Sequence, residues 1–206
     1  MKLIAARLVL GLVVFVLVGW AAGALWTSLV GSGEPEAMRD IAEHRTAGLT
    51  AVAQVVTWAG SAFVLVPLAV ICCSLLLRAG LPREAFAVAV SLAGAMLISD
   101  IVKLLVSRPR PPVEHLQAVT GSSFPSGHST QASAFWLSLV LALRAARAPP
   151  LLIRVAAGLA LALVFAVALS RVYLGVHYPA DVIAGVLLGT GWAVFVARCL
   201  REIAVK

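Results

Sequence analysis

From Leu8 to Val30 the chain carries no charged residue, and from Thr46 to Leu77 it again carries none. About 20 apolar residues in a helix cross the roughly 30 Å hydrocarbon core of a bilayer. Inside that core every backbone N–H and C=O must find a partner within the protein, which leaves helices and closed barrels as the spanning elements. Uninterrupted runs of this length predict membrane helices. The scarcity of charge agrees. Only 12% of the chain is charged and 62% is hydrophobic, against about 25% charged in a soluble domain.

Four further apolar segments follow. Ala85–Val106 is interrupted only by Asp100 and Lys103, and Ser129–Leu143, Val155–Ser170 and Val182–Ala197 are uncharged. The pattern predicts an all-α, polytopic bundle of six transmembrane helices forming one integral-membrane domain over 1–206, with a motif-bearing core over 85–200. The last three runs are short. Sixteen helical residues rise roughly 24 Å, so their polar flanks, Pro125 to His128, Arg171 and His177 to Asp181, must complete the spans and lie near headgroup depth. Lys2 and Arg7 before an apolar stretch resemble the start of a signal peptide, but the stretch is longer than a typical signal core and reads as a span.

A net charge of +7 would suggest nucleic acid in a soluble chain. Here the basic residues fall between apolar segments, so topology accounts for them and no nucleic-acid partner is expected. With the N-terminus in the cytoplasm, Lys2, Arg7, Arg78, Arg83, Arg144, Arg147, Arg154, Arg198, Arg201 and Lys206 lie inside. Arg39, Arg45, Lys103, Arg108, Arg110 and Arg171 lie outside. The excess inside predicts cytoplasmic termini and places the polar clusters at the outer face, and the richness in Ala, Val, Leu, Arg and Gly points to a bacterial inner or plasma membrane. The connection Gly31–Gly48 predicts a short amphipathic helix on that face. Glu43 and His44 are adjacent and do not share a helix face, so a metal site there is not expected. Cys72, Cys73 and Cys199 read as small apolar fillers, and the five tryptophans as packing or interfacial anchors.

Polar residues concentrate in three clusters, each at the outer end of a predicted helix. The first is Lys103-Leu-Leu-Val-Ser-Arg-Pro-Arg110-Pro111, the second Pro125-Ser126-Gly127-His128 and the third Ser170-Arg171, then His177 and Asp181. Lys103, Arg110 and Arg171 are cations at membrane depth and need anions. Asp100 is placed to pair with Lys103 one turn away, and positive charge is left over for a phosphate, whose oxygens suit the arginine fork. Ser126 is a candidate N-cap and Gly127 permits close backbone approach, so the helix that opens there favours an anion. His128 is placed to give a proton to a leaving group. His177 precedes a helix opened by Pro179, and Asp181 can hold its Nδ1 and leave Nε2 free to attack phosphorus. Arg108 contacts phosphate or snorkels, Tyr173 and Tyr178 read as interfacial anchors, and Glu114 and His115 sit in a surface loop.

These clusters resemble the signature of the type 2 phosphatidic acid phosphatase family: Lys103, Arg110 and Pro111; Pro125, Ser126, Gly127 and His128; Ser170, Arg171, His177 and Asp181. The resemblance implies a membrane enzyme that hydrolyses lipid phosphates or pyrophosphates without a metal or other cofactor. It implies that His177 forms a phosphohistidine, that His128 protonates the leaving group and that Asp181 orients His177. Lys103, Arg110, Arg171, Ser126 and the Gly127 backbone would hold the phosphoryl oxygens. Candidate substrates are polyprenyl pyrophosphate, phosphatidic acid and phosphatidylglycerophosphate. The same motifs would serve a lipid phosphotransferase, and the intramembrane cations alone would also suit an anion transporter.

Overall fold

A computed structural model describes residues 2–29 and 34–201. The end of the first expected span at Val30, residues 31–33 of the following connection, and Lys206 of the basic count lie outside the described residues. Within them every regular element is helical: α1 (Lys2–Leu29), α2 (Glu34–Glu43), α3 (Ala47–Val56), a 3₁₀ turn (Thr57–Gly60), α4 (Ala62–Arg78), α5 (Pro82–Val106), α6 (Gly127–Ala145), α7 (Pro150–Tyr173) and α8 (Pro179–Arg201).

The polar flanks do lengthen the short runs. Gly127 and His128 open α6, Arg171 lies in the last turn of α7, and Pro179 and Asp181 open α8. The long run Thr46–Leu77 absorbs its surplus by bending 45° between α3 and α4. Ser61 caps the second half by accepting from Phe63 N at 3.3 Å, and Trp136 Nε1 donates to Ala59 O at 3.1 Å, pinning the turn to α6.

Among the described residues, α1, α5, α7 and α8 are each long and apolar enough to cross a membrane, and the bent pair α3–α4 makes a fifth span if counted as one. The expectation of six is therefore met only to four or five, because α6 carries Ser129, Thr130, Gln131, Ser133 and Ser138 buried along its length. The protein is a multi-pass, all-helical membrane bundle. Its outward side chains include Leu104, Phe63 and Leu161, 80%, 79% and 73% exposed, a surface that lipid rather than water covers.

α6 occupies the centre, packed against α5, α7 and α8. Its closest approach is to α8, where a Cβ added at Gly189 would lie 2.2 Å from both Thr130 O and Ser133 Oγ. Small residues bring two membrane helices together in this way, with van der Waals contact in place of a hydrophobic drive. One apolar cluster joins Ala95, Ile98 and Val102 of α5 to Ala134 of α6 and Leu188, Trp192 and Val196 of α8, with Phe124 closing its upper end. Trp192 fits the packing role, donating from Nε1 to Val90 O at 3.1 Å.

The amphipathic helix α2 exists but is more than a surface strip. Met38 is wholly buried against Val172, Tyr178 and Val182, and Glu34 is turned inward. α2 therefore packs on the ends of α7 and α8 where the clusters lie.

Candidate active site

Each cluster sits where a helix begins or ends at one end of the bundle. α5 stops because Ser107 adopts a left-handed conformation (φ 51°, ψ 34°), with its N–H on Lys103 O at 3.1 Å. The segment that follows folds back on itself. Arg108 N donates to Ser122 Oγ at 2.9 Å, Ser123 N to Arg108 O at 2.9 Å and Ser123 Oγ to Pro109 O at 3.0 Å. The hairpin-like loop carries the first cluster to the start of α6.

Lys103 and Arg110 both grip this loop. Lys103 Nζ donates to Ser122 O at 3.3 Å. Arg110 donates from Nε to Gly121 O at 3.1 Å, from Nη2 to Thr120 O at 2.8 Å and from Nη1 to Val176 O at 2.7 Å. The last bond ties the first cluster to the residue before His177. Lys103 does not form the expected pair with Asp100. Asp100 is exposed, and the ammonium turns instead toward the carbonyls and toward α6, where a Cβ at Gly127 would meet Lys103 Cε at 3.7 Å.

Ser126 is the N-cap of α6, its hydroxyl accepting from Ser129 N at 3.4 Å. Its own N–H donates to Asp181 O at 2.9 Å, which joins the second cluster to the third. His128 lies in the first turn, close to the 3₁₀ turn: a Cβ at Gly60 would be 3.2 Å from His128 Cβ.

Arg171 is 2% exposed. Its Nη1 donates to Thr57 Oγ1 at 2.9 Å and also to Gln117 Oε1, while Nε is buried with no acceptor. Val176 N returns to Arg171 O at 3.3 Å, and Leu116 N bonds Leu174 O at 3.0 Å. Gly175 makes this turn possible. Its φ is +78°, and a Cβ there would lie 2.4 Å from Arg45 Nη2 and 2.6 Å from Glu114 O. Arg45 itself donates to Tyr173 O and Glu114 O, both at 3.0 Å, and Tyr173 OH accepts from Thr46 N at 2.9 Å. Arg45, Glu114 and Tyr173 thus fasten the loops over the site.

His177 lies in the turn between α7 and α8, 2% exposed. Its Nδ1 is 3.6 Å from Asp181 Oδ2, outside hydrogen-bonding distance, and has no hydrogen-bond partner. Burial pushes the pKa of His177 down to about 4, against the opposing pull of Asp181. The imidazole is therefore neutral at neutral pH and keeps a lone pair for nucleophilic attack. Asp181 is more heavily engaged than its spacing suggested. Oδ2 accepts from Tyr178 N at 2.9 Å and Oδ1 from Arg108 Nη1 at 2.6 Å.

Arg108 is thus part of the network. Its guanidinium lies 4.2 Å over the Tyr178 ring and pairs with Glu34 as well as Asp181. Burial opposes its charge, but Asp181 and Glu34 outweigh that and raise its pKa. Glu34, Thr57 and Gln117 are contacts that the motif spacing does not reveal. The surplus of cations over Asp100 and Asp181 pointed to a phosphate, and nothing in the sequence marked Glu34 as a further carboxylate partner. Glu43 and His44 hold no metal-binding arrangement: His44 Nδ1 faces Asp40 at 3.5 Å on an exposed face. Among the described residues no three His, Cys, Asp or Glu side chains are grouped to hold a metal ion.

A family model described as the PAP2 superfamily matches residues 84–204, a stretch that contains all three clusters. The chain is 40% identical over 116 residues to the decaprenylphosphoryl-5-phosphoribose phosphatase of Mycobacterium tuberculosis, covering 53% of this chain and 59% of that protein. It is 35% identical over 99 residues to phosphatidylglycerophosphatase B of Bacillus subtilis, covering 45% and 46%. The chain therefore spans about half the length of the curated relatives it matches. The crystal structure of a transmembrane PAP2 type phosphatidylglycerolphosphate phosphatase from Bacillus subtilis superposes with a TM-score of 0.77 at 25% identity, covering 96% of each chain.

Proposed function

The chain belongs to the PAP2 superfamily, and from that premise we propose that it is a membrane lipid phosphatase that passes a phosphoryl group from lipid to His177 and then to water. The observation that carries the reading is the buried imidazole of His177 with Asp181 3.6 Å behind its Nδ1. It stands at the same end of the bundle as Lys103, Arg171 and the N-terminus of α6.

In this reading the phosphoryl oxygens lie against Lys103, Arg110, Arg171, Ser126 and the N–H of Gly127. Nε2 of His177 attacks phosphorus as the bond to the lipid oxygen breaks, and His128, protonated on binding by the proton that a phosphate monoanion carries in, gives that oxygen its proton. Water then attacks the phosphohistidine, its proton passes to His128, and inorganic phosphate leaves with His177 restored. As charge builds on the transferring group, fixed cations meet it, the task that metal ions perform in other phosphoryl transfer sites. The unpartnered Nε of buried Arg171 supports a pocket that prefers an anion.

We take 1–206 as one domain, because α1 packs into the core and α2 reaches the site. We take α6 as the sixth span, since its 19 residues rise about 28 Å. The distribution of basic residues supports a site on the outer face of a bacterial plasma membrane. Among substrates, a phosphate or pyrophosphate carried by a polyprenyl chain is preferred over phosphatidic acid and phosphatidylglycerophosphate. The name of the mycobacterial relative includes a decaprenyl-linked phosphate.

Phosphate release from a panel of these lipids, measured in EDTA with wild type and His177→Ala, tests the proposal. The wild type should turn over at least one lipid and the variant should fall by at least a thousandfold, roughly what loss of a nucleophile costs. Comparable rates in the two would refute it.

A further inference from the structure

Glu34 stands outside every motif, on a helix that the pattern of residues assigns to the membrane surface, yet it is only 9% exposed. Donors from three elements converge on its carboxylate. Trp26 Nε1 of α1 donates to Oε2 at 3.3 Å, Ala180 N of α8 donates to Oε1 at 3.2 Å, and Arg108 Nη2 also donates to Oε2. A carboxylate at this depth is costly unless it is paired and bonded. The arrangement thus invites the question of what its pairing accomplishes.

The answer lies in how Arg108 is divided. A guanidinium facing a single carboxylate tends to close on it as a fork, with two parallel N–H···O bonds. Arg108 does not do this to Asp181. Its Nη2 is taken by Glu34, so only Nη1 reaches Asp181, at Oδ1 and 2.6 Å. Oδ2 is left to Tyr178 N at 2.9 Å and faces His177 Nδ1 at 3.6 Å. The buried Nδ1 has no hydrogen-bond partner, and Oδ2 is the carboxylate oxygen that stands ready to accept from it.

We propose that Glu34 is a positioning residue of the site: by occupying Nη2 of Arg108 it prevents a two-pronged Arg108–Asp181 clamp and keeps Oδ2 of Asp181 available to His177. The inference rests on the proposed role of His177. Glu34 touches neither the nucleophile nor the expected position of the phosphate. It acts through Arg108 and then Asp181, and the N–H of Ala180 holds it in register with the first turn of α8.

The test is a set of four proteins, wild type, Glu34→Ala, Arg108→Gln and the double variant, with Glu34→Gln and His177→Ala alongside. Each is assayed for kcat and KM on the lipid that the wild type turns over, and melted in detergent to confirm folding. Glu34→Ala should lower kcat about tenfold without raising KM, since removing a negative charge does not weaken binding of an anion. Glu34→Gln keeps an acceptor for Nη2 and should lose less. Adding Arg108→Gln to Glu34→Ala should restore part of the lost kcat, because the clamp then has no guanidinium. A rise in KM at constant kcat, or a double variant as poor as the product of the two single effects, overturns the proposal. Should His177→Ala retain activity, the nucleophile assignment fails first. Should it be inactive while Glu34→Ala matches wild type, only the role of Glu34 fails.

Discussion

His177 gives up its hydration to the bundle, and with it most of its tendency to hold a proton. Its pKa falls to about 4 despite the carboxylate of Asp181 nearby, against about 6.5 for an exposed imidazole. Below the lowered value the ring is protonated and Nε2 has no lone pair; above it the ring is neutral and can attack. Since kcat/KM reports ionisation of the free enzyme, its acid limb should fall with a midpoint near 4, once corrected for the substrate's own phosphate ionisation at about 6. A midpoint near 6.5 would mean that the ring is solvated or that another group governs the limb. The histidine, its carboxylate and the three cations were legible as residues, because their motif spacing is unusual in an apolar chain. Their burdens were not. The spacing of His177 and Asp181 suggested a private pair, whereas Asp181 also accepts from Arg108 and Tyr178. The partners of Arg171, Thr57 and Gln117, come from segments with no motif of their own.

At the scale of elements, α8 carries the site only as well as it is held against α6. At Gly189 the two backbones lie close together, with no space for a methyl group beside Thr130 O and Ser133 Oγ. Gly189→Ala must part the helices or strain them, and overpacking of this kind costs about 1–3 kcal/mol. The variant should melt lower in detergent and lose activity, because Ser126 N and Asp181 O, bonded at 2.9 Å across the same pair of helices, are drawn apart. The matched control is Gly158→Ala in α7, where an added Cβ meets nothing; its melting temperature should stay close to wild type. Equal melting of the two variants would show that α6–α8 contact does not limit stability. Hydrophobic runs located the helices and polar residues marked their ends. They could not show that α6, the most polar of the long helices, lies at the centre, since its small hydroxyl side chains bond back to their own helix and let neighbours approach from all sides.

Considered as a whole molecule, the bundle gathers its chemistry at one end and leaves most of its arginines at the other. If the basic end is cytoplasmic, a cysteine at exposed Ala118, in the loop between α5 and α6, should react from outside intact cells with a reagent that cannot cross the membrane. One at exposed Ala79, between α4 and α5, should react only after permeabilisation. The reverse pattern would invert the topology and place the site on the inner face. The chain's sequence alone determined that it belongs in a bilayer, because long uncharged runs leave a helix no other stable environment. It also marked out the cations and histidines that the proposed reading sets around a phosphate, because such groups at membrane depth are too costly to be incidental. Only the tertiary structure decided how those charges are neutralised. Pairing depends on which side chains come within hydrogen-bonding distance, and it was the packing of α2 on α7 and α8 that brought Glu34 to Arg108, 74 residues away.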